Sequence, residues 1–317
     1  MTTSQIDLNV YQAARETAVL TDRSDLGVLI FSGKTRFDLI NRMSTQKVQT
    51  MLKGEGTATI LTTDIGRIID RLMLYATNNT IYALTSENNS DAIARYLMRF
   101  VFFQDDFQLQ DISKNTVIFG IYGPQAQQKA VAAGFPDEAL PLHHWRQVKF
   151  GEITAYLHRT DPIHGDGYFV LGEAKDRDAL WQRLLDSGLV VADANAFDFL
   201  RIEAGLPRFG HELTQEYIPL EANLWDDVSF NKGCYIGQEI IARMESRGRL
   251  AKKLVQLTAD GPLEAGSDLQ ANGKNAGTVT STAVGPHGII GLAYVKTAVL
   301  DSESELRVGD TAVHLKK

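Results

Sequence analysis

The sequence predicts an α+β fold, and three observations carry that prediction. Short strand-like runs are mixed with helices of moderate length, the regular strand-helix alternation of a parallel sheet is missing, and the chain past Arg249 turns to β patterns. At 317 residues, two or three compact units are expected.

Thr57 to Thr63, Arg67 to Thr77 and Thr80 to Ser86 read as neighbouring strands of a meander, with Asn78-Asn79 as a turn that tolerates positive φ. Ser90 is a good N-cap for one amphipathic helix, in which Ile93, Leu97, Phe100 and Val101 recur at helical spacing until about Gln104-Asp105. Val117 to Tyr122 is a strand, followed by Gly123-Pro124 and a short helix to Gly134. Gly167 to Gly172 then precedes a helix carrying Leu180, Leu184 and Leu185. A boundary near 250 divides the chain into 1–249 and 250–317. In the tail, Leu254 to Thr258, Gly277 to Val284, Gly288 to Tyr294 and Thr311 to Leu315 are β-like, and Asn272-Gly273 is a hairpin signal. No helix-period segment remains there to cover a sheet face, so a small antiparallel barrel or sandwich is expected.

Composition removes several function classes. The 32 basic and 39 acidic side chains leave a formal charge of -7, which opposes broad coating by a polyphosphate, so no direct nucleic-acid partner is expected. The one cysteine, Cys234, supplies neither an intrachain disulfide nor a cage of several thiolates. The first residues lack a basic region followed by an apolar run, and no stretch of ~18 apolar residues occurs. These features set the expectation of a cytoplasmic protein without membrane partners; with no heptads, a monomer is the default. Neither a Walker sequence nor G-x-G-x-x-G is present, and no H-x-H or H-E-x-x-H spacing supports a protein-only metal site.

Three segments could carry chemistry. In Asn231-Lys232-Gly233-Cys234-Tyr235-Ile236-Gly237-Gln238-Glu239, two glycines bracket a thiol just before a helix, and Lys232 with the helix N-terminus would stabilise a thiolate. A small packed cysteine in a tight turn reads equally well. In Phe197-Asp198-Phe199-Leu200-Arg201-Ile202-Glu203-Ala204-Gly205, Glu203 lies on the flank of a helix beside its glycine stop. A glutamate there is ordinarily exposed; turned inward, it would suit a heterocycle with two adjacent N–H groups. Asp70 sits within a strand otherwise rich in Ile, Leu and Met, either lining a pocket as proton acceptor or pairing with an arginine. Arg243, Arg247, Arg249, Lys252 and Lys253 form a basic stretch suited to a solvated helix end or to an anionic tail.

Lys232-Gly233-Cys234-Tyr235-Ile236-Gly237-Gln238-Glu239 resembles the signature of the YgfZ family of folate-binding proteins, which is related to a mitochondrial iron-sulfur assembly factor. Arg201-Ile202-Glu203-Ala204-Gly205, Pro219-Leu220-Glu221-Ala222-Asn223, Tyr122-Gly123-Pro124-Gln125-Ala126-Gln127 and Gly165-Asp166-Gly167-Tyr168 resemble stretches of the wider glycine-cleavage T-protein (aminomethyltransferase) family. The resemblance implies two interleaved α+β subdomains and a C-terminal antiparallel β-barrel around a channel that holds tetrahydrofolate. It implies that Glu203 grips the pterin, Lys232 contacts folate, Arg243 meets the glutamate tail, and Cys234 faces the same cavity. The implied partners are iron-sulfur enzymes or cluster-assembly proteins, and the implied role is cluster synthesis or repair, acting indirectly on tRNA modification. One departure stands out: T-proteins carry two consecutive aspartates where this chain has Asp70-Arg71. A cation there would oppose positive charge developing on an amine, which counts against aminomethyl transfer. A transferase using Asp70 and a pure folate-binding module are the alternative readings.

Overall fold

The computed structural model describes residues 5–302 and 304–316. Residues 1–4, on which part of the expectation about the N-terminus rests, lie outside the described residues.

The chain starts one sheet, leaves it to build a second, and returns to finish the first. Helix α1 (Leu8–Glu16) begins at Asp7, whose carboxylate accepts from the Asn9 and Val10 amides, and leads into β1 (Val19–Asp22). Then come β2 (Leu26–Ser32), α2 (Arg36–Met43), β3 (Gly56–Thr62), β4 (Ile68–Ala76), β5 (Ile81–Glu87), α3 (Ser90–Met98) and β6 (Gln108–Asp111). The return passes through β7 (Thr116–Gly123), α4 (Ala126–Ala132), β8 (Trp145–Phe150), β9 (Ile153–Arg159), β10 (Asp166–Glu173), α5 (Arg177–Asp186), β11 (Val190–Val191) and α6 (Ala194–Glu203). A long turn-rich segment then reaches α7 (Gln238–Arg247).

β2 to β6 form a five-stranded sheet in the order β3-β4-β5-β2-β6, whereas β1 joins β7 to β11 in a six-stranded sheet, β11-β1-β7-β10-β9-β8. This is the expected interleaving of two α+β subdomains. The β1–β11 ladder is parallel and the other ladders are antiparallel, which is why no strand-helix alternation shows in the sequence.

The remaining strands are β12 (Lys252–Ala259), β13 (Asp268–Ala271), β14 (Lys274–Gly285), β15 (Gly288–Lys296), β16 (Leu306–Val308) and β17 (Thr311–Leu315). They close as an antiparallel barrel because β12 pairs with both β15 and β17. Asn272 (φ 50°) and Gly273 (φ 70°) make the β13–β14 turn in the left-handed region, as the hairpin signal requires. A four-residue helix, α8 (Thr297–Leu300), interrupts the otherwise β tail.

The barrel is fixed to α6 by a buried polar network. Arg201 donates to Glu212 (2.7 Å) and to the Ser281 hydroxyl on β14 (2.7 Å), and Ser281 donates in turn to Glu212 (2.6 Å). Tyr294 of β15 stacks on Tyr217 with ring centroids 3.4 Å apart.

Two local expectations change. The Asn78-Asn79 turn uses no positive φ; the Thr77 hydroxyl accepts from the Asn79 and Thr80 amides and closes the turn instead. Helix α3 stops at Met98, because the Arg99 and Phe100 amides bond three residues back to Tyr96 and Leu97, a tightened last turn. Phe100 and Val101 keep their apolar contact with the core from beyond that end.

Candidate functional site

Along β4 the side chains alternate, so Asp70 shares its face with the fully buried Leu72 and Leu74 while Arg71 points to the other. A carboxylate in that position needs donors. Asp70 accepts from the Arg71 amide (2.8 Å), the Ser86 amide (3.2 Å), the Ser86 hydroxyl and the Asn89 side chain (3.0 Å). Asn89 stands at the cap of α3 but makes no capping bond, its side-chain amide being given to Asp70. Burial pushes the Asp70 carboxyl up to about 6, against the pull of these donors.

Arg71 lies between two further carboxylates. Its Nε donates to Asp227 Oδ2 (2.6 Å) and its Nη1 to Asp161 Oδ2 (2.6 Å), with Nη2 reaching the second oxygen of each at 3.4 and 3.3 Å. Burial disfavours the charge, yet Asp161 and Asp227 hold the guanidinium well above its ordinary value. Burial likewise works to raise Asp161, and Arg71 overrides it, leaving that carboxyl below the usual range. Of the two possibilities for Asp70 in the sequence, neither arginine pairing nor open pocket lining applies: it is buried and hydrogen-bonded, and the arginine beside it is paired elsewhere. The clamp of one cation between two anions is net negative, so Arg71 does not present the free positive charge that the sequence suggested.

Arg71 and Asp161 line a charged cavity of about 110 Å³ with the Arg23–Glu87 ion pair (2.8 Å) and apolar walls from Tyr122, Phe169 and Phe197. Arg208, half-exposed, also bonds Glu87 (3.2 Å).

Glu203 ends α6, which Asp193 caps at its start and Gly205 (φ 77°) terminates. Its Oε1 accepts from the Tyr11 hydroxyl (3.0 Å) and, at 3.5 Å, from Arg15 on α1. Its Oε2 is 2.7 Å from His164 Nε2, but the angles are not those of a hydrogen bond, so both buried atoms lack one. Burial tends to raise this carboxyl; His164, Tyr11 and Arg15 outweigh it and hold it below its ordinary value. Glu203 is thus turned inward, against the ordinary expectation for a helix flank.

The cysteine segment is fastened on both sides. Lys232 Nζ donates to the carbonyls of Asn41 (2.6 Å), Ser44 (2.7 Å) and Gln46 (2.7 Å) at the end of α2. Burial draws this ammonium down to about 7, while three carbonyl acceptors for three N–H groups favour the charged form. Past the cysteine, the Thr62 hydroxyl donates to the Ile236 carbonyl (2.6 Å), and Gly237 turns in the left-handed region (φ 84°) to start α7. Between these fastenings Cys234 is exposed. Lys232 is committed to carbonyls rather than to the sulfur.

Glu203, Lys232, Cys234 and Arg243 do not border the cavity lined by Arg71. Arg243 is exposed on α7, and its guanidinium has no partner among the described residues. Sequence reasoning missed Asp161, Asp227, His164, Tyr11 and Arg15. Asp161 lies four residues before Gly165-Asp166-Gly167, so its neighbourhood was visible; Tyr11 meets Glu203 across 192 residues, and no local pattern announces that. Among the described residues, no helix is long and apolar enough to cross a membrane, and no group of three or more His, Cys, Asp or Glu side chains could hold a metal ion.

Residues 5–232 match the model of the GCVT N-terminal domain, and residues 252–317 match that of the CAF17 C-terminal beta-barrel domain. An Arabidopsis thaliana protein named "Putative transferase At1g60990, chloroplastic" is 29% identical over 92% of this chain and 68% of its own. An aminomethyltransferase from Caldanaerobacter subterraneus is 27% identical over 95% of this chain and 83% of its own. The crystal structure of the glycine cleavage system aminomethyltransferase T from Bartonella henselae superposes with a TM-score of 0.86, covering 98% of this chain and 88% of that one at 23% identity; it shares the fold.

Proposed function

Given that the chain belongs to the GCVT family and carries a CAF17-type C-terminal barrel, we propose that it is a tetrahydrofolate-binding protein of the YgfZ kind. On this reading it acts in iron-sulfur cluster synthesis or repair and, through cluster enzymes, in tRNA modification. The observation that carries the reading is the cysteine segment: Lys232 and Thr62 fasten the backbone on either side while the Cys234 thiol is left in solvent. Four directed bonds around an exposed thiol are more than packing requires, and they suit a sulfur offered to a partner protein or its cluster.

The residues also fit a folate. Glu203 stands outside the present cavity lining and its Oε2 faces His164 at 2.7 Å, so on this reading a pterin N–H takes the place of that histidine contact when the ring is seated. The Tyr122, Phe169 and Phe197 walls suit a flat ring. The cavity of about 110 Å³ admits only a ring edge, against roughly 300 Å³ or more for an ordinary ligand pocket, so a whole tetrahydrofolate requires its lining to open. Bound there, tetrahydrofolate supplies a nitrogen that accepts a one-carbon unit; the chain's own residues bind, orient and hold protons. With all three N–H groups engaged, Lys232 contributes by fixing the loop.

The test has two parts. Tetrahydrofolate titrated calorimetrically into wild type and Glu203→Ala should bind at least about tenfold more weakly to the variant; equal affinity removes Glu203 from the account. Cys234→Ala should fold and bind folate yet fail to restore iron-sulfur enzyme activity in a deficient strain, and full rescue would remove the thiol. A second reading, folate-dependent aminomethyl transfer, gains from the Asp161 and Asp227 carboxylates that neutralise Arg71. Production of methylenetetrahydrofolate from an aminomethylated carrier protein would establish it.

A further inference from the structure

A larger cavity, about 460 Å³, opens between the two sheets away from the residues discussed above. The five-stranded sheet contributes Tyr75 and Tyr82; from the other come Trp145 on β8 and the alternate residues Thr154, Tyr156 and His158 of β9, which share one face of that strand. Met73, one pleat from Tyr75 on the same face of β4, lines the charged cavity, so the two spaces adjoin without sharing a lining residue.

His158 is the unusual member. It is 3% exposed, packed edge-on to Tyr75 with centroids 4.0 Å apart, and near Trp145 and Tyr156 at 6.2 and 6.4 Å. Its Nδ1 is buried without a hydrogen-bond partner, and no bond to its other nitrogen occurs among the described residues. Burial pulls the imidazole down to about 3, so at neutral pH it offers one N–H donor and one bare nitrogen acceptor. Phenylalanine would fill the same volume without burying an unmatched polar atom. At the rim, Lys175 is neutralised by Glu173 at 2.6 Å, leaving no uncompensated charge to select an ion.

We propose that this cavity is a second small-molecule site, and that it takes a flat, uncharged heteroaromatic compound whose ring packs on the aromatic walls and whose edge hydrogen-bonds to His158. The aromatic lining supplies affinity for a ring, the imidazole nitrogen open to the cavity supplies one hydrogen bond to its edge, and the volume matches a small ligand.

Indazole, a neutral bicycle with one ring N–H and one acceptor nitrogen, is the probe, and indene is its hydrocarbon control. Calorimetric titration into the full chain should show indazole binding at least about tenfold more tightly than indene. Its affinity should be unchanged by saturating tetrahydrofolate. His158→Phe should bind indazole at least about tenfold more weakly while melting no lower than wild type, which a histidine needed only for packing would not do. Thr154→Trp, which fills the cavity from β9, should abolish binding and serves if His158→Phe does not fold. The proposal is overturned by absence of indazole binding at millimolar concentration, by equal binding of indene, by an unaffected variant, or by displacement with tetrahydrofolate.

Discussion

Replacing Arg71 with leucine removes the cation and leaves two acids facing each other. In the native structure the guanidinium makes two bonds of 2.6 Å, one to each of Asp161 and Asp227, whose side chains are 24% and 7% exposed. Deleting one member of a buried ion cluster typically costs about 3–5 kcal/mol, because the remaining charges keep their desolvation penalty and lose their partner. The cost should shrink on acidification. Arg71 holds Asp161 below the usual carboxyl range, so without it Asp161 takes a proton at a higher pH and the repulsion between the two side chains is relieved. The assay is urea unfolding of Arg71→Leu against wild type at neutral pH and near pH 5, together with the triple variant Arg71→Leu/Asp161→Asn/Asp227→Asn. The triple variant should recover most of the loss, since neutral amides need no cation. A single variant within ~1 kcal/mol of wild type, or a triple variant no better than the single, would show that the clamp is not what balances these charges.

Lys232→Met should cost about 3 kcal/mol, since three part-buried carbonyls lose their common donor, and it should speed Cys234 labelling by a thiol reagent; unchanged stability would mean that water replaces the ammonium. Gly237→Ala should lose about 2 kcal/mol or more, because its Cβ would stand 2.6 Å from the Thr63 carbonyl oxygen at a φ of 84°, and thermal melting measures this. Asp70 has a folded-state pKa raised from 3.8 to about 6, so the native state holds the proton more tightly. Its contribution is full below the unfolded value and is lost as pH rises through about 6, a change of roughly 3 kcal/mol; Asp70→Asn should remove that slope from stability measured between those values. His158 runs the other way: its folded pKa, lowered to about 3 by burial, makes stability fall as pH drops below the unfolded value of 6.5, and His158→Phe should flatten that limb.

Where the pattern is local, the sequence was informative. The three-strand meander of β3, β4 and β5, the barrel strands and the Asn272-Gly273 turn each depend on alternation or on a φ that few residues adopt, and both leave marks in neighbouring residues. α1, by contrast, is a nine-residue helix that packs on β7, α6, β1 and β11, and the residues near it in the chain do not disclose its role in holding Glu203. The same holds at the site. Asp70 was noticed because an acid inside an apolar strand is out of place, while the Asp161 and Asp227 that balance Arg71 lie 90 and 156 residues away in loops where aspartate is ordinary. Lys232 drew attention for its charge beside a thiol, yet its function in the structure is set by three carbonyls that carry no side-chain signature.

The network joining Arg201, Glu212 and Ser281 has a mechanical consequence. A protease that nicks the exposed stretch from Gly248 to Arg249 would sever the covalent link to the barrel, yet the fragments should elute together until denaturant or charge-neutralising substitutions separate them. The barrel is better regarded as a keystone for α6 than as a pendant module, and swapping it for another barrel without Ser281 would loosen the helix that carries Glu203.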